Sequence, residues 1–240
     1  MRDYWAIRAK RYNGLKWVNS DNLLQALLEF SKISKSDEVL DAGCGTGVVA
    51  NAVASIKVKK VVAIDKSEDM LKSGKFHKDV ITRCCDIEEV TTFDKIIARM
   101  VFHHLKDVRK ALRNLYNITN PGGWVIIQEG GVLPSKDKKV RKWYADMMAL
   151  KEKRHNFTEE ELKGHFKAVG FKNISTWLVI DDEFSINNWL KNSGQSKALQ
   201  NKIYKLHLNA PQYVKDAYNM RMVDDEIFID SRVLFIKGQK

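Results

Sequence analysis

The stretch that most constrains this chain is "VLDAGCGTG", Val39 to Gly47. An apolar run fit for a buried strand stops at Asp41, and glycines follow at 43, 45 and 47. Glycine weakens an element interior, so such a cluster belongs where the backbone turns through positive φ or comes very close to something else. An apolar helix, "GVVANAVAS", follows at once. Strand, glycine turn and helix form the opening unit of an α/β fold, and the turn offers bare N–H groups at a helix N-terminus. The spacing is GxGxG, so the GxGxxG signature of dinucleotide binding is not met.

The alternation continues. "KVVAID" reads as a strand and "SEDMLKSGKF" as a helix that Ser67 can cap; "DVITRCCD" and "FDKIIARM" read as strands. "KDVRKALRNLYNIT" is a helix ended by "NPGG", and "WVIIQEG" is a strand. Asp3–Tyr12 and Asp21–Ser31 read as helices ahead of this core. Beyond it come the basic helix "SKDKKVRKWYADMMALKEKRHNF", the Thr-capped helix "TEEELKGHFKAVGF" and the strand "ISTWLVI". Residues 183–224 are helical and loop-like before the last strand, "EIFIDSRVLFIKG". Short apolar strands separated by helices need a parallel sheet covered on both faces. The expected fold is therefore α/β: a Rossmann-like, doubly wound, mainly parallel seven-stranded sheet with an antiparallel last strand. One domain over residues 1–240 carries helical cap elements at about 1–32, 136–157 and 183–224.

Three strand ends carry acids: Asp41, Asp65 and Asp86. In an open α/β sheet ligands bind at the carboxyl ends of the strands, and an acid about 20 residues past the glycines can accept from both hydroxyls of a ribose. Asp86 is placed for an adenine amino group. Together the acids suit a cofactor with a cationic end, a ribose and a base. The three cysteines, Cys44, Cys84 and Cys85, form no CxxC pair, and His155, His165 and His207 lie at no ligand-like spacing, so neither a disulfide framework nor a metal site is expected. No signal-peptide core or membrane-length apolar run is present, which implies a cytoplasmic compartment.

These segments resemble the class I S-adenosylmethionine-dependent methyltransferases over roughly Tyr4 to Gly130. "VLDAGCGTG" is similar to the family's first motif. The resemblance implies Asp41, Gly43, Cys44 and Gly45 around the aminoacyl end of S-adenosyl-L-methionine, whose product is S-adenosyl-L-homocysteine. "VVAIDKSEDML" resembles the second motif, implying Asp65 and Lys66 at the ribose and Met70 against adenine; "CCDIEEV" implies Asp86 and Ile87 at the adenine edge. "FDKIIARMVFHHL" and "LYNITNPGGWVII" resemble the fourth- and fifth-strand motifs. "YWAIRAKRY" is similar to the N-terminal helix of the quinone-biosynthesis-like branch, which implies Arg8 and Tyr12 near the cofactor carboxylate. The loop after Asp86 departs from the pattern by lacking Leu-Pro-Phe.

The acceptor is less constrained. His103 and His104, just past the fourth strand, are the candidate bases, and each can equally cap or pack under the next helix. Arg99, at that strand's end, is a further cofactor contact. Residues 136–157 carry eight Lys or Arg and three acids, +5 of a total formal charge of +11. Lys151 and Arg154, one turn apart, can bind an acceptor carboxylate or phosphate, or simply form a solvated face. Two classes follow: a small-molecule methyltransferase, its acceptor anionic or aromatic, or an RNA or protein methyltransferase using the basic surface. No nucleic-acid module or NPPY-like motif is present, so a small acceptor under a cap is expected. The apolar faces of 183–224 serve a homodimer contact equally well.

Overall fold

The computed structural model describes residues 2–87, 90–131, 137–152 and 154–240. The chain runs α1 (Arg2–Tyr12), α2 (Asp21–Ser31), β1 (Glu38–Ala42), α3 (Val48–Ser55), β2 (Lys60–Asp65), α4 (Glu68–Ser73), β3 (Val80–Cys84), β4 (Phe93–Arg99), α5 (Val108–Asn117) and β5 (Thr119–Gly130). It continues with α6 (Lys138–Lys151), α7 (Glu159–Val169), β6 (Lys172–Ser185), α8 (Ile186–Lys191), α9 (Lys197–Leu208), α10 (Gln212–Ala217), β7 (Arg221–Val223) and β8 (Glu226–Gln239). One sheet has the order β3-β2-β1-β4-β5-β8-β6, with β7 paired to β8. The strands from β3 to β5 are parallel, and β8 runs antiparallel to both β5 and β6.

The uninterrupted apolar strands follow from burial on both faces. Leu40, Val62, Ile96, Val125 and Leu234 enter one apolar cluster, with Leu112 and Phe166 of α5 and α7. Their chain neighbours Val39, Val61, Ile97, Ile126 and Phe235 enter another, with Leu27 and Val53 of α2 and α3. Side chains alternate across a strand, so a sheet sandwiched between helices needs apolar residues at every position.

A third cluster gathers Leu15, Tyr144, Met147, Trp189, Ile203 and Val214 with Ile229 of β8. It ties the helices of 138–151 and 186–217 to the N-terminal segment. Asn188 and Asn192 fasten this contact, each donating Nδ2–H to the Gly14 carbonyl at 3.0 Å.

The expected architecture holds, with shifted boundaries. The sheet has eight strands rather than seven, the added one being β7. It folds back on β8 through Asp224 and Asp225, both at positive φ, which the tight turn requires. Thus 183–224 is less helical than expected at its two ends: β6 runs to Ser185, whose Oγ caps α8, and β7 closes the segment. β5 starts at Thr119 and takes in "NPGG". The basic helix stops at Lys151 because Glu152 is extended, and Lys136 lies outside the described residues. No described helix is long and apolar enough to cross a membrane.

Candidate functional site

The strand order reverses between β1 and β4, the point where an open α/β sheet leaves a crevice. The glycine turn stands beside it. Gly43 and Gly45 have φ +75 and +56, and a Cβ on Gly45 would lie 3.1 Å from Met70 Cε and 3.8 Å from Tyr12 Cε1. A side chain at Gly45 would thus crowd Met70, and the backbone passes bare between Met70 and Tyr12. Thr46 Oγ1 donates to Asn13 Oδ1 at 2.8 Å, which fixes the end of α1 over the turn.

The acids hold this turn in shape. Asp65 Oδ2 accepts from Gly45 N–H at 2.9 Å and Oδ1 from Ser67 N–H at 2.8 Å. Burial raises its carboxyl, against those backbone donors. Asp41 is fully buried, and its Oδ2 accepts from Ala50 N–H at 3.0 Å. Burial raises it to about 7. The Cys44 thiol is buried and pushed up by desolvation, and its N–H donates to Ile64 O at 2.9 Å. The turn is therefore framed by carboxylates rather than by a reactive thiol.

Further along the crevice, Lys66 Nζ and Asp86 Oδ2 pair at 2.5 Å on the exposed rim. Asp86 Oδ1 accepts the Ile87 N–H at 2.7 Å, and the Ile87 side chain packs against the core below. Met70 is buried. This donor and acceptor set fits S-adenosylmethionine: a Cβ-free cradle, a carboxylate at the second strand end with lone pairs to spare, and an apolar floor at Met70 leading to Asp86.

Arg99 does a different job. Its Nη1 and Nη2 donate to the Val18 and Trp17 carbonyls at 3.1 and 2.8 Å. The side chain thus anchors the turn Lys16–Asn19, and its charge also acts on Asp41 and Tyr12 at the crevice.

A cavity opens at the carboxyl ends of β4 and β5. Its lining includes Met100 and His103 from the turn after β4, Gly130 from the end of β5, and Arg8, Lys151 and Trp189 from the cap helices. His103 is buried, with Nδ1 2.6 Å from Glu129 Oε2; Glu129 Oε1 accepts the Phe102 N–H at 2.7 Å. Desolvation holds His103 well below its usual range and raises Glu129 to about 7. The His104 ring lies 3.9 Å from that of His103 and is lowered to about 3 by burial. Of the two candidates, His103 alone is on the cavity wall.

The basic segment divides at this cavity. Lys142 is solvated and paired with Asp146, whereas Lys151 and Arg154 turn inward. Glu152 lies among three cations: 3.3 Å from Arg8, 3.0 Å from Lys151 and 3.8 Å from Arg154. Lys151 also stands over the Trp189 ring at 4.8 Å, and desolvation lowers it to about 8. The Arg8 guanidinium lies 5.8 Å from the Tyr12 ring, and Arg8 also lines the cavity at the ends of β4 and β5.

Sequence reasoning passed over Glu129 and Glu152. A carboxylate at the end of an apolar strand is the signal for the first, since it needs a buried partner. For the second no signal existed, because its burial depends on the cap.

Comparison with known proteins agrees with this layout. Residues 10–176, more than half of the chain, match the family described as "Methyltransferase domain". A malonyl-[acyl-carrier protein] O-methyltransferase of Bacillus anthracis is 29% identical over 52% of this chain and 49% of that protein. The ubiquinone biosynthesis O-methyltransferase of Chromobacterium violaceum is 25% identical over 46% of this chain and 56% of that protein. The chain spans about half the length of such curated relatives. Among solved structures, the YcgJ protein of Bacillus subtilis superposes with a TM-score of 0.73 at 19% identity, covering 90% of this chain and 97% of that one. A Haemonchus contortus phosphoethanolamine N-methyltransferase 2 gives 0.63 at 18% identity, covering 95% and 56%. At such identities the likeness is one of fold. With the family match, it means that the chain belongs to the methyltransferase domain family, within the class I S-adenosylmethionine-dependent methyltransferases.

Proposed function

We propose that this chain methylates a small-molecule acceptor held in the cavity at the ends of β4 and β5, with His103 as the base. The observation that carries the reading is the buried His103–Glu129 pair, whose imidazole lines that cavity. Gly43, Gly45 and Asp65 would hold the cofactor's aminoacyl and ribose parts, with Asp41 shaping the turn beneath. Met70, Asp86 and Ile87 would receive the adenine end, and Arg8 and Tyr12 the carboxylate. Bound there, S-adenosylmethionine supplies an activated methyl on a sulfonium, so alignment and exclusion of water are the protein's main tasks. Glu129 accepts from Nδ1 and leaves Nε2 of His103 as the acceptor of a substrate proton. The low basicity of this buried imidazole keeps it unprotonated at neutral pH.

The cap helices and the sheet are read as one domain in which α6, α8, α9 and α10 roof the acceptor cavity. The alternative, an RNA or protein substrate on the basic surface, draws support from solvated lysines such as Lys142. The inward turn of Lys151 and Arg154 favours a small acceptor, because these cations serve an enclosed ligand rather than a surface strand. Incubation with methyl-labelled S-adenosylmethionine and small hydroxylated acceptors, followed by mass spectrometry, tests the reading. Label on an acceptor that disappears in His103→Asn supports it. Label only on RNA or protein refutes it.

A further inference from the structure

We propose that the acceptor is a hydroxylated organic acid with a planar apolar body, whose single carboxylate joins Glu152 between Lys151 and Arg154. The proposal rests on the methyltransferase reading above and names the substrate class for that site.

The first observation is charge. The described cavity lining holds three cations, Arg8, Lys151 and Arg154, against two acids outside the His103–Glu129 pair, Glu152 and Asp181. The cofactor, with its sulfonium, brings one further net positive charge. A dry site with such an excess favours an incoming anion. The cluster already receives a carboxylate, that of Glu152, so groups of this shape are accommodated there. With the Glu129 carboxylate beside the neutral His103 counted as well, one net positive charge is left when the cofactor is bound, which a monoanion matches more closely than a dianionic phosphate.

The second observation concerns hydrogen bonding. Arg154 Nε and the Tyr218 hydroxyl are buried and find no partner among the described residues, and both residues line the cavity. A buried donor without an acceptor is costly, and a bound carboxylate supplies acceptors. Arg154 is otherwise held in place, its Nη2 donating to Gly130 O at 3.1 Å.

The third observation is shape. Tyr144 stacks on Tyr218 at 5.6 Å and 18°, and Trp189 lies beneath Lys151. A Cβ on Gly131 would strike the Tyr144 hydroxyl, so glycine at this position lets Tyr144 pack against the end of β5 with its ring toward Tyr218. Flat aromatic walls beside cations suit a planar acid. A carboxylate held by these cations is a poor nucleophile. The reacting atom is then a separate hydroxyl facing His103.

The test is binding to the full chain saturated with S-adenosylhomocysteine. The probes are salicylate, 4-hydroxybenzoate and 1-hydroxy-2-naphthoate, each paired with its neutral amide and followed by calorimetry. At least one acid should bind about ten-fold or more tightly than its amide. Lys151→Met and Arg154→Met should each shrink that preference to about two-fold or less, with S-adenosylhomocysteine affinity unchanged. Equal binding of acid and amide, binding of no acid, or a preference that survives both substitutions overturns the proposal. Failure of S-adenosylhomocysteine itself to bind would instead strike the methyltransferase reading. A variant that does not fold is replaced by Lys151→Gln or Arg154→Gln, judged by the same ratio.

Discussion

Nδ1 of His103 lies 2.6 Å from Oε2 of Glu129, and both side chains are withdrawn from solvent. The other oxygen of Glu129 is taken by the Phe102 N–H, so the carboxylate cannot swing away without orphaning a buried donor. A carboxylate fixed in this way favours the Nδ1–H imidazole, in which Nε2 carries no proton. The pair joins the turn after β4 to the end of β5, so the register of two parallel strands sets the orientation of a candidate base.

Glu129→Gln tests that account without any substrate. Glutamine can keep its Oε1 on Phe102 N–H, but it then offers Nδ1 an amide N–H donor in place of an acceptor, which favours the Nε2–H imidazole. Nitrogen spectra of labelled histidine at pH 8, above the Glu129 value of about 7, should show His103 as the Nδ1–H tautomer in the parent protein. In the variant a large Nε2–H fraction should appear. Unchanged spectra would mean that the pair does not select the tautomer.

Asp65→Ala should weaken S-adenosylhomocysteine binding by about 1.5–3 kcal/mol, the range for charged hydrogen bonds. The loss has two sources: the carboxylate offered to the ribose, and the restraint on Gly45 and Ser67. Calorimetry giving the parent affinity would remove Asp65 from the site.

Asp41 makes the fold pH-dependent. Its folded pKa of about 7 exceeds the value of about 3.9 of an unfolded chain, so the folded state holds the proton more tightly. The stability this contributes is complete below about pH 4 and is lost as pH rises through 7. Asp41→Asn can keep the acceptor for Ala50 N–H while removing the titration. Urea unfolding at pH 5 and pH 8 should therefore favour the variant at the higher pH by up to about 2–3 kcal/mol relative to its difference at pH 5. Equal pH slopes in the two proteins would show that Asp41 does not carry the effect.

Much of this architecture is legible because it is local. The glycine turn, the Ser67 and Thr158 caps and the paired apolar residues of each central strand are encoded within a few positions. The carboxyl end of β6 is harder to read, since "DDEFS" breaks the alternation and is held extended by pairing with a strand some 45 residues on. The cofactor side of the site is strung along strand ends and so reads directly. The acceptor side is assembled from β5, α6 and the cap, and its central contact, Arg8 to Glu152, spans 144 positions. Nothing near Lys151 distinguishes a solvated lysine from one that Trp189 buries.

Trp189 separates a roof over the acceptor from a purely structural cap. Its ring packs in the cap cluster, faces Phe184 at 6.1 Å and lies under the Lys151 ammonium. Trp189→Leu retains apolar volume but removes the flat wall and the cation–π contact, and should cost about 1–3 kcal/mol of stability. If the cap serves the acceptor, S-adenosylhomocysteine affinity stays within about two-fold of the parent while binding of the preferred hydroxy acid falls about ten-fold. The proposed cofactor residues Gly45, Asp65 and Met70 are not among the residues of the cap cluster that holds the indole, so the two affinities should separate. A parallel loss of both would place Trp189 in support of the whole sheet edge, and no loss of either would confine it to packing.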